Sequence, residues 1–149
     1  METVKIRCKD LMVGDWVANR NGSPMQIVAV DEDNAYACEG NEERPWIFGD
    51  DEGYEPQPII LTPEILEKNG WKVYGYLDSR YSMRGFCCRD EDGYHLVWWK
   101  LGTLSVNYNY KKYNDEPYFE GDIPVKYVHE LQRTLKLLRF NELADNFKI

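Results

Sequence analysis

An α+β fold, rich in antiparallel strands and light in helix, is what this sequence of 149 residues predicts. Three observations predict it. Aromatic residues make up 14% of the chain, and ring side chains favour sheets over helical bundles. Short apolar stretches recur between turn residues, with strict polar/apolar alternation from Thr103 to Tyr110. Helix signals are confined to two places, one near Thr62 and one near the C-terminal end. The expected architecture is an N-terminal small SH3-like β-meander or barrel with an acidic loop over residues 1–58. A helix, an antiparallel meander and a C-terminal packing helix follow over residues 59–149.

Leu11 to Ala18 runs from a turn into a strand, and Asn19 to Pro24 supplies loop residues before a strand over Met25 to Val30. Asp31-Glu32-Asp33-Asn34 turns the chain into Ala35 to Cys38, and Trp46-Ile47-Phe48 is apolar enough to return to the same sheet. Thr62-Pro63-Glu64 opens a helix, with a capping hydroxyl, a proline at the first helical position and a carboxylate at the positive end of the dipole. Gly70 supplies the left-handed stop, and Trp71 the hydrophobic contact that usually follows it. Lys72 to Leu77, Gly85 to Arg89 and Tyr94 to Lys100 read as strands, the last two joined by an Asp92-Gly93 turn. In Thr103 to Tyr110 the alternation puts Leu104, Val106, Tyr108 and Tyr110 on one buried face. Asn114 to Gly121 is expected to be a loop. Val125 to Phe140 is expected to be a helix whose apolar arc holds Tyr127, Val128, Leu131, Leu135 and Leu138 and covers the second meander. Asn141 to Phe147 completes the chain as a further turn or two.

The formal net charge is −8, and all of the excess lies in the first half. Ten acids between Asp31 and Glu55 face a single base, Arg44. Such a field repels nucleic-acid phosphates, which argues against double-stranded nucleic acid, and it suits a basic protein partner. Asp31, Asp33, Glu42, Glu43, Asp50, Asp51 and Glu52 are the candidate contacts, although the same acids would also serve to solvate loops. Apolar runs such as Leu96-Val97-Trp98-Trp99 are far shorter than the ~20 residues of a membrane helix. With no apolar h-region at the start, a cytoplasmic location is expected.

Four cysteines, Cys8, Cys38, Cys87 and Cys88, are scattered and lack any Cys-x-x-Cys spacing, and His95 and His129 lack a chelating spacing. No metal, cofactor or catalytic motif is implied. His129 lies with Gln132 and Lys136 along one edge of the C-terminal apolar arc, where the three could line a groove. A thiol of Cys87 or Cys88 beside His129 is the one nucleophile and base pair that would support a hydrolase or transferase. Tyr108-Asn109-Tyr110-Lys111-Lys112-Tyr113 interleaves rings with lysines, the pattern of a surface for single-stranded nucleic acid.

Three segments carry a resemblance. Leu11-x-x-Gly14-Asp15-Trp16-Val17, Pro58-Ile59-x-Leu61-Thr62-x-Glu64-Ile65-Leu66 with Asn69-Gly70, and Val125-Lys126-Tyr127-Val128-His129-x-Leu131-Gln132 together resemble a family of small uncharacterised proteins. That family occurs in Bacteroides-type gut bacteria and their prophages or mobile elements. Trp71 stands where the family has Phe, Arg133 where it has Asn, and Asn141-Glu142-Leu143 where a Gly usually precedes the Glu-Leu pair. Residues 72–120 lie outside the resemblance. It implies a context and no activity. The function expected is therefore that of a non-enzymatic protein-interaction or accessory module of a prophage or mobile element, acting through its acidic surface.

Overall fold

Alternating side chains and tight turns build two antiparallel sheets, and the protein is α+β. The computed structural model describes residues 6–38, 46–49, 55–73, 86–91, 93–100, 102–108 and 118–149. It divides into two units. One comprises Met1–Ile60 and Tyr127–Phe147 with Ile149, the other Leu61–Lys126 with Lys148. The chain thus leaves the first unit after Ile60 and re-enters it at Tyr127, whereas the expected division has one boundary after residue 58 and groups the last helix with the second meander.

The first unit's sheet has strands β1 (Trp16–Ala18), β2 (Pro24–Val30), β3 (Asn34–Cys38) and β4 (Trp46–Gly49) in sequential order. Met25, Ile27, Ala35, Ala37 and Phe48 point inward with Val17 and pack on Ile6, Cys8 and Leu11. The pairing of β2 with β3 shifts register between Ile27 and Ala29. This bulge leaves Val28 unpaired, resets the alternation, and turns both Val28 and Ala29 to the outside.

Two helices complete this unit, α2 (Val128–Leu137) and α3 (Asn141–Asp145), numbered after α1 of the second unit (Pro63–Lys68). The helix expected over Val125 to Phe140 is shorter at both ends. Tyr127 is extended and forms its N-cap, and its N–H donates to the Glu130 carboxylate at 3.0 Å. The far end stops on Arg139, which sits in left-handed backbone at φ 68°. Phe140 N–H donates back to Leu135 C=O at 2.8 Å, and Arg139 N–H to Lys136 C=O at 3.0 Å, the six-to-one pairing that ends many helices, here without its usual glycine. Val128, Leu131 and Leu135 are buried as the arc predicts, while Tyr127 and Leu138 are half-buried.

The second unit's sheet runs β5 (Lys72–Val73), β6 (Phe86–Glu91), β7 (Tyr94–Trp99), β8 (Thr103–Tyr108) and β9 (Tyr118–Pro124), again in sequential order. Strand β9 corrects the expected loop over Tyr118 to Gly121, while Asn114 to Pro117 lie outside the described residues. Gly121, Asp122 and Pro124 are poor strand residues, but pairing from Thr103↔Pro124 to Tyr108↔Tyr118 satisfies its backbone, with a register shift beside Val106. Cys87, Leu96, Trp98, Leu104 and Val106 share one face, buried with Leu66 of α1 and with Trp71. Ser105 is buried on the opposite face, where its hydroxyl accepts from Trp99 Nε1 at 3.0 Å and donates to Asp122 Oδ1 at 2.7 Å. The side chains of Tyr108 and Tyr110 lie outside the described residues.

Helix α1 is built as its sequence predicts. Thr62 Oγ1 accepts from Ile65 N–H at 3.3 Å, and Trp71 N–H returns to Leu66 C=O at 3.1 Å across Gly70. Gly70 has φ 84°, a left-handed backbone that favours glycine, and a Cβ there would stand 2.7 Å from Arg89 Nη1, so the guanidinium would have to shift.

Two outcomes follow for chemical denaturation. Leu131→Ala should destabilise by about 2–5 kcal/mol, because a fully buried side chain at the centre of the α2 arc leaves a cavity. Arg139→Gly should stabilise by about 1 kcal/mol by relieving left-handed strain at an exposed position. A destabilised Arg139→Gly would mean that the side chain contributes more than the backbone strain costs.

Candidate functional site

The chemistry-bearing side chains of the first unit form a buried polar layer and an exposed acidic turn. The layer begins at Gly14-Asp15-Trp16. Gln132, 1% exposed, accepts from Trp16 N–H at 2.8 Å through Oε1 and donates through Nε2 to Gly14 C=O at 2.7 Å and Ala144 C=O at 3.2 Å. Trp16 Nε1 donates to Phe147 C=O at 2.7 Å. Lys136 donates to Val13 C=O at 3.1 Å and lies 3.5 Å from Asp145, while Arg133 donates to Asp10 C=O. The edge formed by His129, Gln132 and Lys136 is therefore filled. His129 and Gln132 are interior, and only the Lys136 end approaches the surface.

Two ionisable groups sit in this unit with one polar atom each unpartnered. Asp15 is fully buried. Its Oδ2 accepts from Met12 N–H at 2.8 Å, and Oδ1 finds no partner among the described residues. Burial pushes its pKa up, against the Met12 hydrogen bond and the Lys136 and Arg133 charges. His129 is buried with Nδ1 unpartnered among the described residues, its ring stacked on Tyr127 at 6.0 Å. Burial and then the Arg133 charge push its pKa down to about 4.

Asp31 and Asp33 lie exposed at the β2–β3 turn. Asp31 Oδ1 accepts from the N–H groups of Asp33 and Asn34 at 2.9 and 2.7 Å, and Oδ2 from the Tyr36 hydroxyl at 3.0 Å. These bonds hold its pKa below the usual carboxylate value, led by the two backbone donors. Behind the turn, Ala29, Tyr36 and Ile47 are partners across three strands on the outer face, and Ile47 is 53% exposed. Glu42, Glu43, Asp50, Asp51 and Glu52 lie outside the described residues, as do Asn109 to Tyr113 of the tyrosine–lysine segment.

In the second unit, Cys87 donates to Pro63 C=O at 3.8 Å, and burial, with help from Glu67, pushes its thiol up to about 11. Burial and the Asp90 charge also raise Cys88, against Lys72. A protonated thiol is a poor nucleophile at neutral pH, and an imidazole titrating near 4 is a weak base, so neither partner of the expected Cys/His pair is tuned for catalysis. Among the described residues no three His, Cys, Asp or Glu side chains gather as a metal site requires. No helix of the described chain is long and apolar enough to cross a membrane.

Two features here stand outside the expected site residues. Counting outward from the Asp92-Gly93 turn would have placed His95 opposite Asp90, where its Nδ1 lies 2.7 Å from Asp90 Oδ1. Arg89 has no local signal. It donates through Nε to Glu91 at 2.9 Å and through Nη1 to Asn69 C=O at 2.7 Å, and with Gly70, Lys72, Cys88 and Asp90 it lines a cavity of about 460 Å³. Neither a family model, nor a curated protein, nor a solved structure matches the chain.

Gln132→Ala should cost about 2–4 kcal/mol, because it orphans the Trp16 N–H in a buried layer and leaves Gly14 C=O only the longer bond from Gln26 Nε2 at 3.3 Å. Melting compared with Lys136→Ala, which should change little, checks this. The pH dependence has two opposing parts. His129 resists protonation in the folded chain, so stability on the order of 3 kcal/mol present above pH 6.5 is lost as pH falls to about 4. His129→Gln should flatten that loss. Asp15 holds its proton more tightly when folded, so its ionised form costs stability above the ordinary carboxylate range, and that cost fades as pH falls. Asp15→Asn should therefore stabilise at pH 7 and gain least in acid, as read by denaturation at a series of pH values.

Proposed function

We propose that the protein is a non-enzymatic interaction module that holds a basic protein partner against the outer face of β2, β3 and β4. The observation that carries this reading is the outward-facing row of exposed Ala29, half-buried Tyr36 and exposed Ile47, joined by Val28, running up to the acidic Asp31–Asp33 turn. Isolated exposed apolar residues are ordinary, but aligned cross-strand neighbours at the end of a charged turn suit a ligand with both chemistries. The row would contact aliphatic side chains, and Asp31, kept ionised by its hydrogen bonds, would pair with lysine or arginine. The ten acids between Asp31 and Glu55 would speed the encounter.

An SH3-like arrangement of the first four strands belongs to the same proposal, supported by their short, sequential antiparallel pairing. So does a role as a cytoplasmic accessory protein of a prophage or mobile element, supported by the Leu11 to Val17, Pro58 to Gly70 and Val125 to Gln132 segments. Fold alone does not dictate such a role.

Reversing Asp33, Glu42 and Glu43 to Lys, which spares the Asp31 carboxylate that holds the turn, should slow association at low salt by about tenfold or more and flatten its salt dependence, with the fold intact. Ile47→Ser should instead speed dissociation and leave the salt slope alone. Pull-downs from the host followed by binding kinetics on the captured partner measure both. Equal capture of the same proteins by wild type and the reversed variant would reject this face as the binding surface.

A further inference from the structure

We infer that Asn21 is a site of spontaneous modification, where the folded chain loses ammonia by closing a succinimide onto Gly22 and reopens it with water, and that Asn69 is protected from the same reaction. The sequence holds two Asn-Gly pairs, Asn21-Gly22 and Asn69-Gly70. A glycine after the asparagine leaves the attacking backbone nitrogen unshielded by a Cβ, so the two pairs are alike in intrinsic reactivity and the fold separates them.

In the first step the Gly22 nitrogen gives its proton to hydroxide and bonds to Asn21 Cγ. The Cγ–Nδ2 bond breaks, and Nδ2 leaves as ammonia with a proton taken from water. Water then cleaves one of the imide C–N bonds. Cleavage at Cγ leaves aspartate, and cleavage at the main-chain carbonyl leaves isoaspartate, in which the chain runs through Cβ. The net change consumes one water and releases one ammonia, with no oxidation or reduction.

The attacking nitrogens are held alike. Gly22 N–H donates to Asn19 C=O at 2.9 Å and Gly70 N–H to Glu67 C=O at 3.1 Å, and both glycines are exposed with φ of 83° and 84°. The carboxamides are not alike. Ring closure requires the side chain to rotate until Cγ faces the next nitrogen. Asn21 is exposed, and its carboxamide makes no hydrogen bond among the described residues. The turn is held instead by Asn19, whose Oδ1 accepts from the N–H groups of Asn21 and Ser23 at 2.9 and 3.0 Å. Nothing stands within 4 Å of where a Gly22 Cβ would be, so there is room at the tip.

Asn69 is half-buried and locked. Its Nδ2 donates to Ile65 C=O at 2.8 Å and to Lys148 C=O at 2.7 Å, while Oδ1 accepts from Lys148 N–H at 2.8 Å. Those three bonds must open together before Cγ can turn. The main chain is pinned as well, because Asn69 caps α1 and its carbonyl accepts from Arg89 Nη1 at 2.7 Å. Reaction at Asn21 adds a carboxylate to the β1–β2 hairpin. The isoaspartyl product also lengthens the main chain by one carbon, which moves Gly22 and Ser23 away from their Asn19 acceptors.

The test incubates full-length protein in mildly alkaline buffer, folded and in concentrated urea, and follows the peptides that contain residues 21 and 69 by digestion, chromatography and mass spectrometry. In the folded protein residue 21 should gain the mass of an amide-to-acid exchange, with aspartyl and isoaspartyl peptides resolved. Residue 69 should lag by about a hundredfold, the effect of three hydrogen bonds that open together. In urea the two should react at similar rates, and Asn21→Gln should abolish the folded-state product. The inference is overturned if residue 69 keeps pace with residue 21 in the folded protein, if its lag persists in urea, if residue 21 reacts only in urea, or if the product survives Asn21→Gln.

Discussion

One carboxamide fixes how the helices of the first unit meet its sheet. Gln132 projects from α2 and bonds the backbone of the Gly14–Trp16 turn on both its donor and acceptor sides, while also reaching Ala144 of α3. Hydrogen bonds to backbone atoms have fixed directions, so α2 has one rotation about its axis that satisfies all three. That rotation carries Val128, Leu131 and Leu135 inward. It also brings the chain end to where the Phe147 carbonyl receives the Trp16 indole. An apolar residue at position 132 could pack in several rotations, because dispersion is not directional. In the interior a misdirected amide leaves donors and acceptors unpaired, and the low local dielectric magnifies that cost.

The same layer holds groups that oppose stability. Asp15 and His129 are buried with one atom each unpartnered among the described residues, and burial shifts both toward their neutral forms. The two titrations run in opposite directions with pH, so neither end of the range relieves both. Retaining such groups makes sense only if the geometry they enforce matters more than the free energy they lose. Asp15 shows what is enforced. Its Oδ2 accepts from Met12 N–H, and its own N–H donates to the Met12 carbonyl at 3.0 Å. This tight turn presents Gly14 and Trp16 to Gln132.

What could be read in the sequence was whatever is decided locally. Thr62, Pro63, Gly70 and Trp71 specify both ends of α1 within ten residues, and each takes its expected role. The strands of the first sheet and the α2 arc follow from periodicity, and they too were legible. The failures share a cause. Strand β9 pairs with β8 despite its own poor propensity, so its existence is decided by its neighbour. Arg139 occupies a left-handed position where sequence rules expect glycine, and Phe140 secures that stop by bonding back to Leu135. Gln132 stood at the edge of an apolar arc, where periodicity reports burial of carbon and is silent about amide partners more than a hundred residues away. Arg89 and Gly70 meet through tertiary contact alone. Of the acidic segment, composition foretold the exposed Asp31 turn, but the aligned Ala29, Tyr36 and Ile47 depend on the β2 bulge, which hydrophobic alternation does not announce.

Net charge and site chemistry operate over different ranges. Screening at physiological ionic strength confines an exposed charge to a reach of about 8 Å, so the sum over the chain governs the approach of a partner and says little about any one site. Each shifted group reflects its own neighbours. Asp31 is held low by two backbone N–H groups although acids surround it in sequence. His129 is lowered by burial and by Arg133 in a protein whose net charge should favour imidazolium. Lys72 and Asp90 act on the Cys88 thiol in opposite senses. An acidic chain can therefore hold groups whose ionisation runs against its net charge.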